Sequence, residues 1–315
     1  MKIVFCGTPS FAVPALKAVL RTGHEIALVV TQPDRPSGRG MQVVAPPVKE
    51  TALEAGLTMV QPEKIKNNLE FRSQLESIGP DAILVVAYGR IVPKWMLDLP
   101  RFGNLNLHAS LLPKYRGAAP IQWAVANGDA VTGVTTMRID EGLDTGDMLM
   151  QREMAIAPDQ TSVDVFPLLA EMGAVLMVET LEGLDAGTLA PIRQDNSLAT
   201  HAPILTRDDG RMDFTLPAMT VYNRWRGFQP WPGAWTMLDG KKLSAHRLMP
   251  LDAGAVRGAS AEPGTLHLEQ ARLLVACGEN TWLELVEVQL EGKKRMPAAD
   301  FLRGHTLTSG DRLGQ

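Results

Sequence analysis

Asn106 and His108 stand two positions apart in NLNLH, residues 104–108. In an extended chain such positions project from the same face, so an amide and an imidazole would enter one crevice. Further along, DEGLDTGD (140–147) sets Asp144 between Gly142 and Gly146. Those glycines let the backbone approach a ligand closely or adopt positive φ, which would aim Asp144 at the imidazole. Asn, His and Asp together supply an oxyanion donor, a proton carrier and a group that orients it. A nucleophile of the usual kind is missing. Ser110 is the nearest hydroxyl and no GxSxG elbow surrounds it, while nothing near Cys6 would activate a thiol. The set points to direct acyl transfer, with an amine of the substrate attacking. An α-amino group needs only modest desolvation to be neutral near pH 7, since its reference pKa is about 7.7–8.0. The intervening segment, Ser110-Leu111-Leu112-Pro113, is a loop stiffened by proline and carrying two leucines, suited to a flat, partly apolar ligand.

These residues need a frame. KIVFC (2–6), EIALVVT (25–31), DAILVVAYG (81–89) and NLNLH read as buried strands, and FAVPALKAVLRTG (11–23) has helical spacing ended by Gly23. Strands alternating with helices predict an α/β fold, a Rossmann-like, mainly parallel sheet with helices on both faces. Ligands in such sheets bind beyond the carboxyl ends of the strands, where Gly7, Tyr88-Gly89 and His108 fall. The first turn reads GTPSFAVP, not GxGxxG, which argues against a nicotinamide or flavin cradle. VTTMRI and DMLMQREMAI predict two further strands, and a helix is expected from Thr161 to Leu184. Residues 188–206 are rich in turn formers and read as a linker. After a helical piece at 217–227 and QPWPGAW come short strands near 234–239, 242–249, 264–268, 271–277 and 281–290. That pattern predicts a small OB-like β-barrel. The expected domains are therefore 1–187, catalytic, and 207–315, the barrel, joined by 188–206.

With 315 residues, 45% hydrophobic and 21% charged, the chain has material for two globular cores. The net charge of −4 divides unevenly. Residues 1–206 hold 17 Lys and Arg against 22 Asp and Glu, while 207–315 hold 14 against 13. Contact with nucleic acid would have to run through local basic patches. The two cysteines, Cys6 and Cys277, lack the spacing of a zinc site or a disulfide framework, so no metal is expected. No apolar run reaches the ~18–20 residues of a membrane span, and MKIVFCGTP reads as a first strand and not a signal peptide. A cytoplasmic protein is expected.

Asn106-x-His108, SLLPKYRGAAPIQW and GLDTGD resemble the folate-dependent formyltransferase superfamily. The resemblance implies that Asn106, His108 and Asp144 are the catalytic triad and that Ser110, Leu111, Leu112 and Pro113 bind folate, in a pocket completed by Tyr88, Gly89, Ile91, Asp140 and Gly142. The donor would be 10-formyltetrahydrofolate. The triad is shared by glycinamide ribonucleotide formyltransferases, formyltetrahydrofolate hydrolases and dehydrogenases, and UDP-sugar formyltransferases. FCGTPSFAVPAL, TQPDRPSGRG (31–40) and QPWPGAW look like the methionyl-tRNA formyltransferase family, with similar spacing from residue 3 to about residue 305. That implies formylation of the methionine α-amino group on initiator methionyl-tRNA, by a monomer.

By composition alone, PDRPSGRG is a surface connection as readily as a binding loop. The family reading has it reach the tRNA acceptor stem, with Arg39 in contact and Arg35 as a secondary partner. Met41-Gln42 stand where familiar members carry two lysines, which predicts a shallower salt dependence. Ala109 replaces the Gly or Pro often found there. Lys241, Lys242, Lys293, Lys294 and Arg295 form two basic turns, either solvated hairpin tips or a phosphate track for tRNA. A UDP-amino-sugar formyltransferase is the nearest rival reading, since it uses the same donor but has no need of an arginine loop. A donor hydrolase and a non-catalytic RNA-binding module are the others. The hydrolase leaves the basic turns without a purpose, and the module leaves the triad without one.

Overall fold

The structure is a computed structural model and describes residues 1–37, 42–251, 254, 256 and 261–314. In chain order its strands and helices begin with β1 (Lys2–Gly7), α1 (Val13–Leu20), β2 (Glu25–Val30), β3 (Arg35–Ser37), β4 (Gln42–Val44), α2 (Pro47–Glu54), β5 (Met59–Val60), α3 (Leu69–Ile78) and β6 (Ala82–Val86). They continue with α4 (Lys94–Leu97), β7 (Asn104–His108), β8 (Arg116–Gly117), α5 (Pro120–Ala126), β9 (Val131–Arg138), β10 (Met148–Ala155), α6 (Ser162–Asp185) and β11 (His201–Ala202). The chain divides into two compact units. The first holds Met1–Pro120, Val131–Ala155 and Val165–Pro203, and the second Ile121–Ala130, Ile156–Asp164 and Ile204–Gln315. The stretch expected as a linker thus folds with the first unit as far as Pro203, and two segments of the expected 1–187 domain cluster with the second.

The first unit is built on a seven-stranded sheet, β10-β9-β7-β6-β1-β2-β5. Its strands are parallel from β5 to β7, and β9 runs antiparallel to both of its neighbours, β7 and β10. The β1 and β6 strands are buried along nearly their whole length, which is why their sequences are continuous apolar runs without alternation. Strand order reverses at β1, with β2 on one side and β6 on the other. This opens a crevice at the carboxyl ends of β1 and β6. Local signals mark the helices. Asn68 caps α3 by accepting from the Phe71 N–H at 3.0 Å, and Gly79 ends it at φ 57°; such a cap stabilises a helix by about 1 kcal/mol. The long α6 packs against the strand that carries Asn106 and His108. A Cβ on Gly173 would lie 2.5 Å from Leu107 Cδ2, and the hydroxyls of Thr136 and Thr180 are 2.7 Å apart. Leu105 and Leu107 are buried on the face opposite Asn106 and His108, and each contributes about 1.5–3 kcal/mol by leaving water.

The segment read as a loop at 31–40 contains one side of a hairpin, with β3 pairing antiparallel to β4. Three residues interrupted by Pro36 are too short for alternation to show in the sequence.

The second unit adds α7 (Ala218–Gly227), β12 (Ala234–Leu238), β13 (Lys241–Leu251), β14 (Leu266–Glu269), β15 (Arg272–Ala276), β16 (Trp282–Leu290), β17 (Met296–Pro297) and α8 (Ala298–Gly304). Its sheet is antiparallel in the order β12-β13-β16-β15-β14, with β17 on β16. Leu243, Leu273, Leu283, Leu285, Val288 and Phe301 form its core. Among the described residues, no helix is long and apolar enough to cross a membrane.

Candidate active site

Strand β7 ends on His108, which is 6% exposed. Its Nε2 lies 2.8 Å from the Tyr115 carbonyl oxygen. A carbonyl can only accept, so this contact places the proton on Nε2. Nδ1 is then the basic nitrogen of the neutral ring, and it faces Asp144 Oδ2 at 3.7 Å. That gap is longer than a direct hydrogen bond. Asn106, two positions back on the same face, is half-buried, and its amide donors are uncommitted to other groups among the described residues. Asn104, the remaining amide of NLNLH, is spent on structure, donating to the Met96 carbonyl at 2.7 Å.

Asp144 reaches His108 from the loop between β9 and β10. The positive φ expected of the glycines falls on Asp144 itself, at 52°. Gly142 and Gly146 are required for close approach instead. A Cβ would lie 2.0 Å from Thr145 Oγ1 at Gly142 and 1.9 Å from the Arg138 carbonyl oxygen at Gly146. Asp144 Oδ2 accepts from the Gly117 N–H at 2.8 Å. The Asp140 carboxylate closes the loop internally, accepting from the Gly142 N–H at 3.0 Å and from the Thr145 hydroxyl at 2.7 Å. It shapes the loop while remaining exposed.

The Ser110–Pro113 loop is also turned partly inward. Ser110 is fully buried and its hydroxyl donates to the Lys114 carbonyl at 2.6 Å. Leu112 is buried. Thr135 on β9 donates to Ser110 O and accepts from the Leu112 N–H, and Gln151 on β10 donates to both Leu112 O and Thr135 Oγ1. The side chains this loop can offer a ligand are Leu111 and Pro113, both half-buried. Thr135 and Gln151, unmarked in the sequence, hold it. Tyr88 likewise points into the core, beside Cys6 and Met96. Burial, and then the neighbouring Cys6, push its phenol pKa up. Gly89 follows at φ 76°, and Ile91 is 91% exposed.

At the root of the β3–β4 hairpin, Asp34 accepts from Gln61 and Lys49, and these bonds hold its carboxyl below the ordinary range. Gln61 also donates to Gln32 O, and Gln32 donates to Tyr88 O at 2.9 Å. The hairpin is thereby tied to the end of β6. Arg35 is exposed on β3. Arg39 lies outside the described residues, as does Met41.

In the second unit, Lys241 and Lys242 open β13, and the Glu291 N–H bonds the Lys242 carbonyl at 2.8 Å. The basic turn after β16, with Lys293 and Lys294 exposed, is therefore at the same end of the sheet. Arg295 is ion-paired with Glu287. Trp235, the last residue of QPWPGAW, carries Lys242 Nζ at 5.1 Å from its ring centre and the Arg211 guanidinium at 5.9 Å. Burial, and then Arg207, lower the Lys242 pKa.

Comparison with known proteins bears on what this arrangement does. The family described as formyl transferase matches residues 1–181, and its C-terminal domain matches 204–306. A methionyl-tRNA formyltransferase of Acidobacterium capsulatum is 71% identical over the full length of both chains. Another, of Koribacter versatilis, is 59% identical over 100% of this chain and 99% of its own. Among solved structures, a sugar 3N-formyl transferase with dTDP and 5-N-formyl-THF superposes with a TM-score of 0.65 at 16% identity. It covers 93% of this chain and 99% of its own, a likeness of fold. The chain belongs to the methionyl-tRNA formyltransferase family of formyl transferases.

Proposed function

We propose that this chain transfers the formyl group of 10-formyltetrahydrofolate to the α-amino group of methionine on initiator tRNA. The products are N-formylmethionyl-tRNA and tetrahydrofolate. Near-identity of length and 71% sequence identity with a protein of that activity support the reading. The observation that carries the chemistry is the approach of Asp144 to His108 Nδ1, with Asn106 on the same face of the strand.

The bound donor supplies an activated formyl carbon. The methionyl amine attacks that carbon, and the bond from carbon to the folate nitrogen breaks. One proton leaves the amine and one arrives on the folate nitrogen, so protons balance. Asn106 donates to the oxygen of the tetrahedral intermediate. His108 takes the amine proton on Nδ1, because Nε2 is committed to Tyr115 O. The Asp144 carboxylate then lies beside the imidazolium, stabilises it, and keeps the ring oriented while the proton moves to the leaving nitrogen. Once protonated, Nδ1 is a second donor to the oxyanion.

For the donor, exposed Ile91, half-buried Leu111 and Pro113, and the backbone at Gly89 fit a flat heterocycle with an apolar face. Gly142 permits the tight Asp140 turn that carries Asp144, so Asp140, Gly142, Ser110 and Leu112 serve the pocket by shaping it. For tRNA we assign Arg35, Arg39, Lys241, Lys242, Lys293 and Lys294. Arg295 has a smaller part, because Glu287 already neutralises it. The chain would act as a monomer in the cytoplasm, where charged initiator tRNA is found.

Transfer of labelled formyl from 10-formyltetrahydrofolate to methionyl-initiator-tRNA, beside a UDP-amino sugar, tests this. Label on the tRNA alone is expected. Label on the sugar alone, or free labelled formate, would overturn the assignment of substrate.

A further inference from the structure

We infer that Gln194 and Thr200 are positioning residues for His108, and that residues 194–200 form a strap whose task is to aim the two oxygens that address its imidazole. The role of the strap in catalysis rests on the formyl-transfer reading above. The geometry does not.

His108 meets oxygen on both sides, Tyr115 O at Nε2 and Asp144 Oδ2 at Nδ1. Both residues that supply these oxygens are non-glycine residues with left-handed backbone, Tyr115 at φ 62° and Asp144 at φ 52°. L residues hold that conformation only where surrounding contacts impose it. In each case a contact comes from the strap. The Tyr115 N–H donates to Thr200 Oγ1 at 2.8 Å, and the Arg116 N–H donates to Thr200 O at 2.8 Å. Gln194 Nε2 donates to the carbonyl oxygens of Asp144, at 2.8 Å, and Gly146, at 2.7 Å.

The Gln194 amide cannot rotate away from this task. Its Oε1 accepts from Nε and Nη2 of Arg116, at 3.1 and 2.7 Å. Arg116 Nη2 also donates to Asn196 Oδ1 at 2.8 Å. Gln194 is 4% exposed and Arg116 5%, so water does not compete for these groups. Strand β11 then pairs with β8, locking the strap beside Tyr115. A buried amide oriented by a buried guanidinium, and a hydroxyl on a backbone N–H, thus converge on the two ends of one histidine. A general structural brace would have no reason to bond at both residues that touch the ring.

Four variants and a control test the strap. Gln194→Met keeps the length and removes the donor. Gln194→Glu keeps the acceptor for Arg116 and removes the donation to Asp144 O. Thr200→Val removes the hydroxyl and Thr200→Ser restores it. Ser197→Ala lies on the same strap, but among the described residues the Ser197 hydroxyl donates to Asp195 and to no other group. We expect kcat to fall by about 10–100-fold in Gln194→Met, Gln194→Glu and Thr200→Val, the scale of a misplaced reacting group. The KM of each substrate should stay within about twofold, as befits an interaction felt in the transition state. Thr200→Ser and Ser197→Ala should match wild type.

The second readout is the ¹⁵N NMR signature of the His108 ring, assigned against His108→Gln and followed with pH in the absence of substrate. Wild type should show the Nε2–H tautomer, and the three disruptive variants should lose it. Folded variants with wild-type kcat and an unchanged ring signature would overturn the proposal. So would a loss of kcat that Thr200→Ser shares, or a variant too unstable to leave the ring signature readable in both Gln194 substitutions and in Thr200→Val, since the strap would then be structural. Because the spectrum needs no substrate, failure of the tRNA reading leaves this test standing.

Discussion

The Gly146 Cα lies so close to the Arg138 carbonyl that a Cβ on residue 146 would sit 1.9 Å from that oxygen. The approach closes the neck of the loop that presents Asp144, and the group it meets is backbone, which cannot swing aside.

Gly146→Ala should therefore open the loop neck and withdraw Asp144 from His108. Overpacking against an immovable group costs about 1–3 kcal/mol. The expected result is a fall in Tm of several degrees and a loss of turnover larger than the instability explains. Thermal melts and initial rates on one preparation measure both, and an alanine variant with wild-type rate would show that the loop tolerates the added atom.

Asn106→Ala removes a donor from the proposed oxyanion site and should lower kcat by about 10²–10³, the usual cost of one such donor. His108→Ala and Asp144→Ala should do at least as much. Asn106 makes no side-chain hydrogen bond to the rest of the described chain, so its variant should melt as wild type does. Turnover near wild type in all three would sink the triad.

The two basic turns predict a contrast. Lys293→Ala with Lys294→Ala should make the dependence of tRNA binding on log salt shallower, by about 0.9 for each phosphate left without its lysine. Arg295→Ala should change it little, because its guanidinium is already paired with Glu287. Equal effects from the two variants would mean that this ion pair opens on binding.

Stability should fall in acid for a definite reason. The hydroxyl and then the backbone N–H of Thr161 hold the Asp164 pKa down, and Thr215 does the same for Asp213. A carboxyl with a pKa lower in the folded than in the unfolded chain stabilises the fold above its unfolded pKa. That contribution is lost as pH falls through the folded value. Melts from pH 7 to 3 should show a drop below about pH 4, and Asp164→Asn with Asp213→Asn should lower Tm at pH 7 while flattening the drop. An equally steep fall in that variant would assign acid sensitivity to other groups.

Local sequence determined much of this protein. Strand and helix periods are properties of a few consecutive residues, so β1, β2, β6, β7, β9, β10 and α6 could be read where they stand. Alternation of side chains in a strand likewise dictated that Asn106 and His108 share a face. The short ribbon β3–β4 was not legible, since three residues with a proline show no period.

Tertiary structure alone decided how the histidine is held. Tyr115 O, Asp144 Oδ2 and the Gln194 and Thr200 contacts come from segments separated by up to 85 residues. Of these, Asp144 alone carried a local mark, its flanking glycines; a buried glutamine and a threonine look like any others in a turn-rich stretch. The same packing turned Ser110, Leu112 and Tyr88 inward. Residue type announces what a side chain can do, but only the partners brought to it by packing leave it free to do so.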